Sequence, residues 1–227
     1  MNSEDTRKIR LIMSLRNSGI TDTDVLSAME RVPRELFVPA AMQDQAYEDI
    51  ALPIGLGQTI SQPLVVATMT QALEITDRDK ILEIGTGCGY QAAILARLCR
   101  RVYTIERHKP LFELAQKHFD ELKTRNLTAI CGDGMRGWPE QAPFDKIICT
   151  AAAFQKPPDA FFDQIKIGGI MIVPVGDEVM QTLRKYKKEG EDTWSSVDLL
   201  PVRFVPLLPD VARNNEYSRD DLDELAG

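Results

Sequence analysis

The stretch Lys80-Ile-Leu-Glu-Ile-Gly-Thr-Gly-Cys-Gly-Tyr90 constrains the fold more than any other part of the chain. Ile81, Leu82 and Ile84 make an apolar run of strand-forming residues that stops in Gly85, Gly87 and Gly89, and helical spacing resumes over 91–98. This reads as strand, tight turn, helix. Glycines allow the backbone to turn and to approach a partner without Cβ interference. Delivered to a helix N-terminus, such a turn is a nucleotide-type cradle. The dinucleotide fingerprint is G-x-G-x-x-G, whereas here the order is Gly-Thr-Gly-Cys-Gly, with Glu83 just ahead of it. An ordinary strand-to-helix turn carries the same three glycines, so the rest of the chain has to decide.

From Lys80 onward short apolar runs alternate with helical ones, the pattern of βαβ units in a parallel sheet. The runs predict strands over 81–84, 102–105, 128–131, 146–150 and 169–175. The clearest helix lies over 110–123, opened by proline, with Phe112, Ala115, Phe119 and Leu122 on one face. Two later runs, 182–190 and 194–205, read as an antiparallel hairpin closing the sheet. Ahead of the sheet, helices are expected over 4–18 and from the Thr21-Asp-Thr-Asp24 cap to Pro33, and another from Pro63. Between them, 37–62 is a long irregular stretch punctuated by proline and glycine, and a loop of that length in a compact domain is functional more often than filler.

At 227 residues and 44% hydrophobic, the chain has material for one α/β domain with a full core. The expected division is a single domain over 1–210, helical and loop-rich over 1–79 and Rossmann-like over 80–210, followed by an acidic, mobile tail over 211–227. No apolar segment is long enough to span a bilayer, and the first residues carry mixed charge, so a cytoplasmic setting without membrane attachment is expected. The formal charge of −7 argues against nucleic acid as a partner. Cys88, Cys99, Cys131 and Cys149 lack the close spacing of a zinc site and read as reduced core thiols, with no metal expected.

Glu106 ends the second predicted strand about twenty residues beyond the first glycine, the offset at which such folds place a carboxylate on ribose hydroxyls; the alternative is a surface glutamate beside Arg107 and Lys109. Asp133, in Cys131-Gly-Asp-Gly-Met135, stands at another carboxyl end, either to accept from an adenine amino group or to close an Asx-type turn. Three such features at one sheet edge make a nucleoside site. His108 and His118 have no evident Ser or Cys partner and read as structural or solvent-exposed. Ser61 and Gln62 are the cap candidates for the helix that Pro63 opens.

Several blocks together resemble the protein-L-isoaspartate (D-aspartate) O-methyltransferases: Arg34-Glu-Leu-Phe-Val-Pro39, Tyr47-Glu-Asp-Ile-Ala-Leu-Pro-Ile-Gly55, Gln58-Thr-Ile-Ser-Gln-Pro63, Leu82-Glu-Ile-Gly-Thr-Gly-Cys-Gly-Tyr-Gln91, Gly132-Asp-Gly134, Phe144-Asp-Lys-Ile-Ile-Cys-Thr-Ala-Ala152 and Arg203-Phe-Val-Pro-Leu207. The glycine motif fits any class I methyltransferase; the Gln-Thr-Ile-Ser-Gln-Pro block narrows it to this family. The resemblance implies a doubly wound, mostly parallel sheet with helices on both faces, an N-terminal helical extension and a C-terminal antiparallel hairpin. It also implies a monomer that acts on damaged proteins and peptides. The methyl donor is then S-adenosylmethionine and the acceptor the free carboxylate of L-isoaspartyl or D-aspartyl residues, whose ester collapses to a succinimide. The matching active-site serine is Ser61. Cofactor residues by the same comparison are Thr59, Ile60, Ser61, Gln62, Glu83, Gly85, Thr86, Gly87, Gly89, Glu106, Asp133 and Gly134, and Phe204 and Val205 join Ser61 at the substrate. The competing readings are a methyltransferase of the same fold with another acceptor and a non-catalytic adaptor that keeps the pocket.

Overall fold

The computed structural model describes residues 3–213 and residue 217. Two helices lead, α1 (Ser3–Asn17) and α2 (Thr23–Arg31). The Asp22 carboxylate accepts from the Asp24 and Val25 N–H groups at 2.9 and 3.1 Å, so Asp22 is the residue of the expected cap that starts α2. The irregular stretch holds two 3-10 turns, Arg34–Phe37 and Ala40–Gln45, and a small antiparallel ribbon of β1 (Leu52–Pro53) and β2 (Thr59–Ile60). Pro63 then opens α3 (Pro63–Ala72), where its missing N–H is no loss. The alternating part follows as β3 (Lys80–Ile84), α4 (Tyr90–Ala96), β4 (Arg101–Glu106), α5 (Lys109–Glu121), β5 (Leu127–Cys131), β6 (Phe144–Cys149), α6 (Asp159–Gln164), β7 (Ile165–Gly176), β8 (Gln181–Lys188) and β9 (Trp194–Val202).

The seven large strands lie in the order β5-β4-β3-β6-β7-β8-β9. Those from β5 to β7 are parallel and the last two pairings antiparallel, which is the expected sheet with its closing hairpin. The chain winds outward from β3 through β4 to β5, then crosses back to β6 on the other side of β3. That reversal opens a crevice at the carboxyl end of β3, the place where open α/β sheets bind ligands.

Successive strand residues point to opposite faces. Ile81, Val102, Ile148 and Ile172 pack on one face against α3, α4 and α5 through Met69, Leu95 and Phe119. Leu82, Ile105, Ile147 and Met171 pack on the other against Phe144 and, from α6, Phe161. Helices therefore cover both faces, and α1 and α2 add a further apolar cluster that reaches Cys88 and Tyr90 at the glycine turn.

Two elements differ from the sequence expectation. Strand β7 starts four residues early, across Gly168 and Gly169, where a register shift against β6 between Phe144 and Lys146 accommodates the glycines. Helix α6 has six residues, too few to show a helical period. The expected acidic tail over 211–227 falls mostly outside the described residues. Within it, Ala212 is buried and donates its N–H to the Arg107 carbonyl at 3.0 Å. Among the described residues no helix is long and apolar enough to cross a membrane.

Candidate active site

A cavity of about 260 Å³ occupies the crevice beyond β3. Much of its wall comes from the glycine turn over 85–88, the ribbon and loop over 57–61, the β4 end over 105–108, and 205–208, with Tyr90, Gly134 and Thr150 adding to it.

The glycine turn is held from both neighbouring strands. The Gly85 and Thr86 N–H groups donate to the Ile105 carbonyl at 2.8 and 3.3 Å, while Thr150 at the end of β6 donates its hydroxyl to the Ile84 and Gly85 carbonyls. Glu106 completes the tie. Its Oε2 accepts from the Gly87 N–H at 2.7 Å and its Oε1 from the His108 N–H at 2.9 Å. Burial raises the Glu106 pKa, opposed by the backbone N–H groups of His108, Gly87 and Arg107. A carboxylate has about four acceptor positions, so even three backbone donors leave capacity for a hydroxyl in the cavity it lines. At Gly85, an added Cβ would collide with the Thr150 hydroxyl, so the loop holds this shape with glycine at that position.

Ser61 comes from the opposite wall. Its loop is fixed by residues far away in sequence. The Asp49 carboxylate accepts from the Leu64 N–H at 2.8 Å and from the Gln62 side-chain amide at 3.1 Å, capping α3 from outside. The Arg34 guanidinium, fully buried, donates to the Ser61 carbonyl at 2.8 Å.

Of the residues singled out in sequence, Thr59, Ile60, Ser61, Gly85, Thr86, Gly87, Glu106, Gly134 and Val205 line this cavity. The others lie just outside its wall. Gln62 caps α3 against Asp49. Glu83 is buried beneath the turn, where Oε2 accepts from the Thr104 hydroxyl and Oε1 has no partner among the described residues. Burial pushes its carboxyl up to about 8, against the pull of Thr104, and the charge of Glu106 adds to the rise, so Glu83 holds its proton at neutral pH. Gly89 is the N-cap of α4 with φ 95° and sits on the Phe119 ring. The Asp133 carboxylate accepts from the Met135 N–H at 2.9 Å, making the Asx-type turn. Phe204 has both main-chain groups engaged: its N–H donates to the Gln181 side-chain oxygen at 2.7 Å, and its carbonyl accepts from the same amide at 3.1 Å.

Both histidines are buried rather than exposed. Burial lowers the His118 pKa, and its Nδ1 lies 2.8 Å from the Cys88 carbonyl, so it supports the glycine turn from below. His108 lines the cavity, with Nδ1 3.2 Å from the Tyr217 hydroxyl. Burial pushes the Cys88 thiol up to about 11, which leaves it unreactive beside the cavity. Arg34, Asp49, Thr150 and Gln181 were not singled out in sequence, although the first three fall inside the blocks that carry the family resemblance.

The chain matches the family described as Protein-L-isoaspartate(D-aspartate) O-methyltransferase over residues 6–212. It is 56% identical over 210 residues to the protein-L-isoaspartate O-methyltransferase of Rhodospirillum centenum, covering 92% of this chain and 95% of that one. With the Maricaulis maris protein of the same name it shares 54% over 213 residues, covering 94% and 99%. Among solved structures, one named protein-L-isoaspartate O-methyltransferase superposes with a TM-score of 0.81 at 28% identity, over 90% of this chain and 67% of that one. A Plasmodium falciparum structure named for the same activity and holding S-adenosyl-L-homocysteine shares the fold, with a TM-score of 0.78 at 23% identity over 92% and 99%.

Proposed function

We propose residue roles for a chain that belongs to the protein-L-isoaspartate (D-aspartate) O-methyltransferase family. It is an S-adenosylmethionine-dependent enzyme that methylates the free carboxylate of isoaspartyl residues in damaged proteins, the step that starts their repair. The observation that carries the assignment of roles is the cavity itself. Ser61 stands on one wall, with Glu106 and the glycine turn on the other.

The residues present fit the cofactor. Glu106 retains acceptor capacity for a ribose hydroxyl, and Gly87 leaves the turn open: a Cβ there would meet nothing nearer than Ile54 Cδ1 at 3.4 Å. Thr59, Ile60, Ser61, Gly85, Thr86, Gly87, Glu106 and Gly134 would hold it, with Gln62, Glu83, Gly89 and Asp133 shaping the segments they stand on. When bound, S-adenosylmethionine supplies an electrophilic methyl on a sulfonium.

The chain's own task is placement. A carboxyl group with an ordinary pKa of about 4 is already the nucleophilic anion at neutral pH, so no general base is required. Ser61 donates its hydroxyl hydrogen bond to one carboxylate oxygen and orients the other, and a neutral donor does so without quenching the nucleophile as a direct Arg or Lys contact would. The ribbon and 205–208 line the cavity and, with substrate bound between them, would limit water at the reacting atoms. Val205 lines the same cavity as Ser61 and is the position at which a substrate chain would lie extended. Phe204, held by Gln181, sets that position. Such backbone-level contact suits an enzyme that meets damage in many sequence contexts.

The test is methyl transfer from labelled S-adenosylmethionine to a peptide holding one L-isoaspartate, beside the same peptide with L-aspartate. Transfer confined to the isoaspartyl peptide is expected. Equal transfer to both, or transfer to neither with the cofactor bound, would reject the proposed acceptor.

A further inference from the structure

Arg34 is 0% exposed and has no ion-pair partner among the described residues. Its Nη2 donates to the Ser61 carbonyl at 2.8 Å and to the Ile50 carbonyl at 3.3 Å, and the guanidinium lies 4.8 Å over the Tyr90 ring, which lines the cavity. Among the described residues, Nε and Nη1 are buried without a hydrogen-bond partner. This is an expensive arrangement. An uncompensated buried cation loses its hydration, and arginine cannot shed the charge to ease burial as lysine can. The two carbonyls could be tied by a neutral amide at lower cost, and the Tyr90 face returns only part of the lost hydration.

No carboxylate among the described residues lies within ion-pair distance of the guanidinium: Glu35 faces the Tyr47 hydroxyl, Asp49 faces the Gln62 amide and the Leu64 N–H, and Glu83 keeps its proton. We propose that Arg34, directly behind Ser61, is a positioning residue whose charge is balanced by an arriving carboxylate: the isoaspartyl carboxylate held at Ser61. The cation does not touch the substrate. It sets a positive potential through the Ser61 peptide while leaving the reacting oxygens to a neutral hydroxyl, so attraction of the anion is separated from contact with the nucleophile. The inference rests on the assignment of the isoaspartyl carboxylate to Ser61.

A carboxylate also ends the amino-acid part of the cofactor, and the experiment separates the two sources. Arg34→Gln keeps an N–H donor for the Ser61 carbonyl but removes the charge, and Arg34→Lys keeps the charge. For each, kcat and KM with the isoaspartyl peptide are measured together with S-adenosylhomocysteine affinity by calorimetry. Expected for Arg34→Gln is a peptide KM at least about tenfold higher with S-adenosylhomocysteine affinity within about threefold of wild type, and for Arg34→Lys recovery of most of that loss. Equal effects of the two substitutions would overturn the proposal, because geometry rather than charge would then be at work. Weakened S-adenosylhomocysteine binding with an unchanged peptide KM would overturn it in favour of the cofactor's carboxylate. Should Arg34→Gln not fold, the wild-type enzyme serves, with a peptide whose isoaspartyl carboxylate is replaced by the primary amide. Binding at least about tenfold weaker than the parent peptide is expected, and equal binding refutes the charge argument. Wild-type transfer to no isoaspartyl peptide would instead sink the reading of the site, not this inference alone.

Discussion

Replacing Gly89 by alanine should damage the fold through one identifiable contact. Gly89 has φ 95°, and a Cβ built on it lies 2.6 and 2.8 Å from Cε1 and Cζ of Phe119 and 3.4 Å from the Ala115 Cβ. Two costs combine. The left-handed backbone costs an L-residue ~1–2 kcal/mol, and forcing a methyl into a packed core costs ~1–3 kcal/mol more. The sum, ~2–5 kcal/mol, corresponds to a Tm lowered by ~4–20 °C at ~2–4 °C per kcal/mol for a chain of this size. Gly19 is the control: its φ is 98° and nothing lies within 4 Å of its Cβ position, so Gly19→Ala carries the backbone strain alone. Thermal unfolding of both variants, with Phe119→Leu alone and combined with Gly89→Ala, isolates the ring contact. A Gly89→Ala shift no larger than that of Gly19→Ala, or additivity of Gly89→Ala with Phe119→Leu, would refute the reasoning.

Glu83 sets a pH dependence. Its folded pKa, about 8, lies above the ordinary 4.5, so its contribution to stability is full below 4.5 and is lost as pH rises toward 8. Between pH 5 and pH 7 the wild type should therefore lose on the order of 3 kcal/mol relative to Glu83→Gln, followed by urea unfolding at each pH; parallel curves would contradict the burial argument. Asp49→Ala removes the acceptor of the Leu64 N–H and of Gln62, and should lower stability by only ~1 kcal/mol while reducing kcat by roughly 10–100-fold, because Ser61 rides on that loop. Gln181→Ala releases both main-chain groups of Phe204, and steady-state kinetics should show a several-fold higher peptide KM with cofactor affinity unchanged.

The parts of this molecule that were legible in its sequence are those fixed by local rules. Gly85, Gly87 and Gly89 announce a turn because all three adopt positive φ, which glycine enters without the cost an L-residue meets, and the distance from Gly85 to Glu106 is one βαβ step. The closing hairpin showed in the alternation of charged and apolar residues over β8 and β9. What supports the site was hidden because it is tertiary. Asp49 reaches Leu64 across 15 positions, Arg34 reaches Ser61 across 27, and Gln181 reaches Phe204 across 23, and no periodicity reports such pairs. Ser61 is the mixed case: in sequence it is a cap candidate ahead of Pro63, while in the structure the cap is Gln62, tied to Asp49, and Ser61 lines the cavity. The histidines divide as structural rather than solvent-exposed: His118 is buried on α5 against the Cys88 carbonyl of the glycine turn and His108 at the α5 N-terminus in the cavity wall, and a one-dimensional pattern does not contain either placement.

Ser61 chiefly aims the acceptor carboxylate and contributes only one neutral contact to holding the cofactor. Single-turnover methylation of an isoaspartyl peptide by Ser61→Ala, with S-adenosylhomocysteine affinity and Tm measured on the same sample, tests this role most directly. The account predicts methyl transfer slowed by roughly 100-fold or more, with the fold intact and S-adenosylhomocysteine affinity changed by no more than the loss of one neutral hydrogen bond, ~1 kcal/mol. Undiminished transfer by a folded, cofactor-binding Ser61→Ala would contradict it.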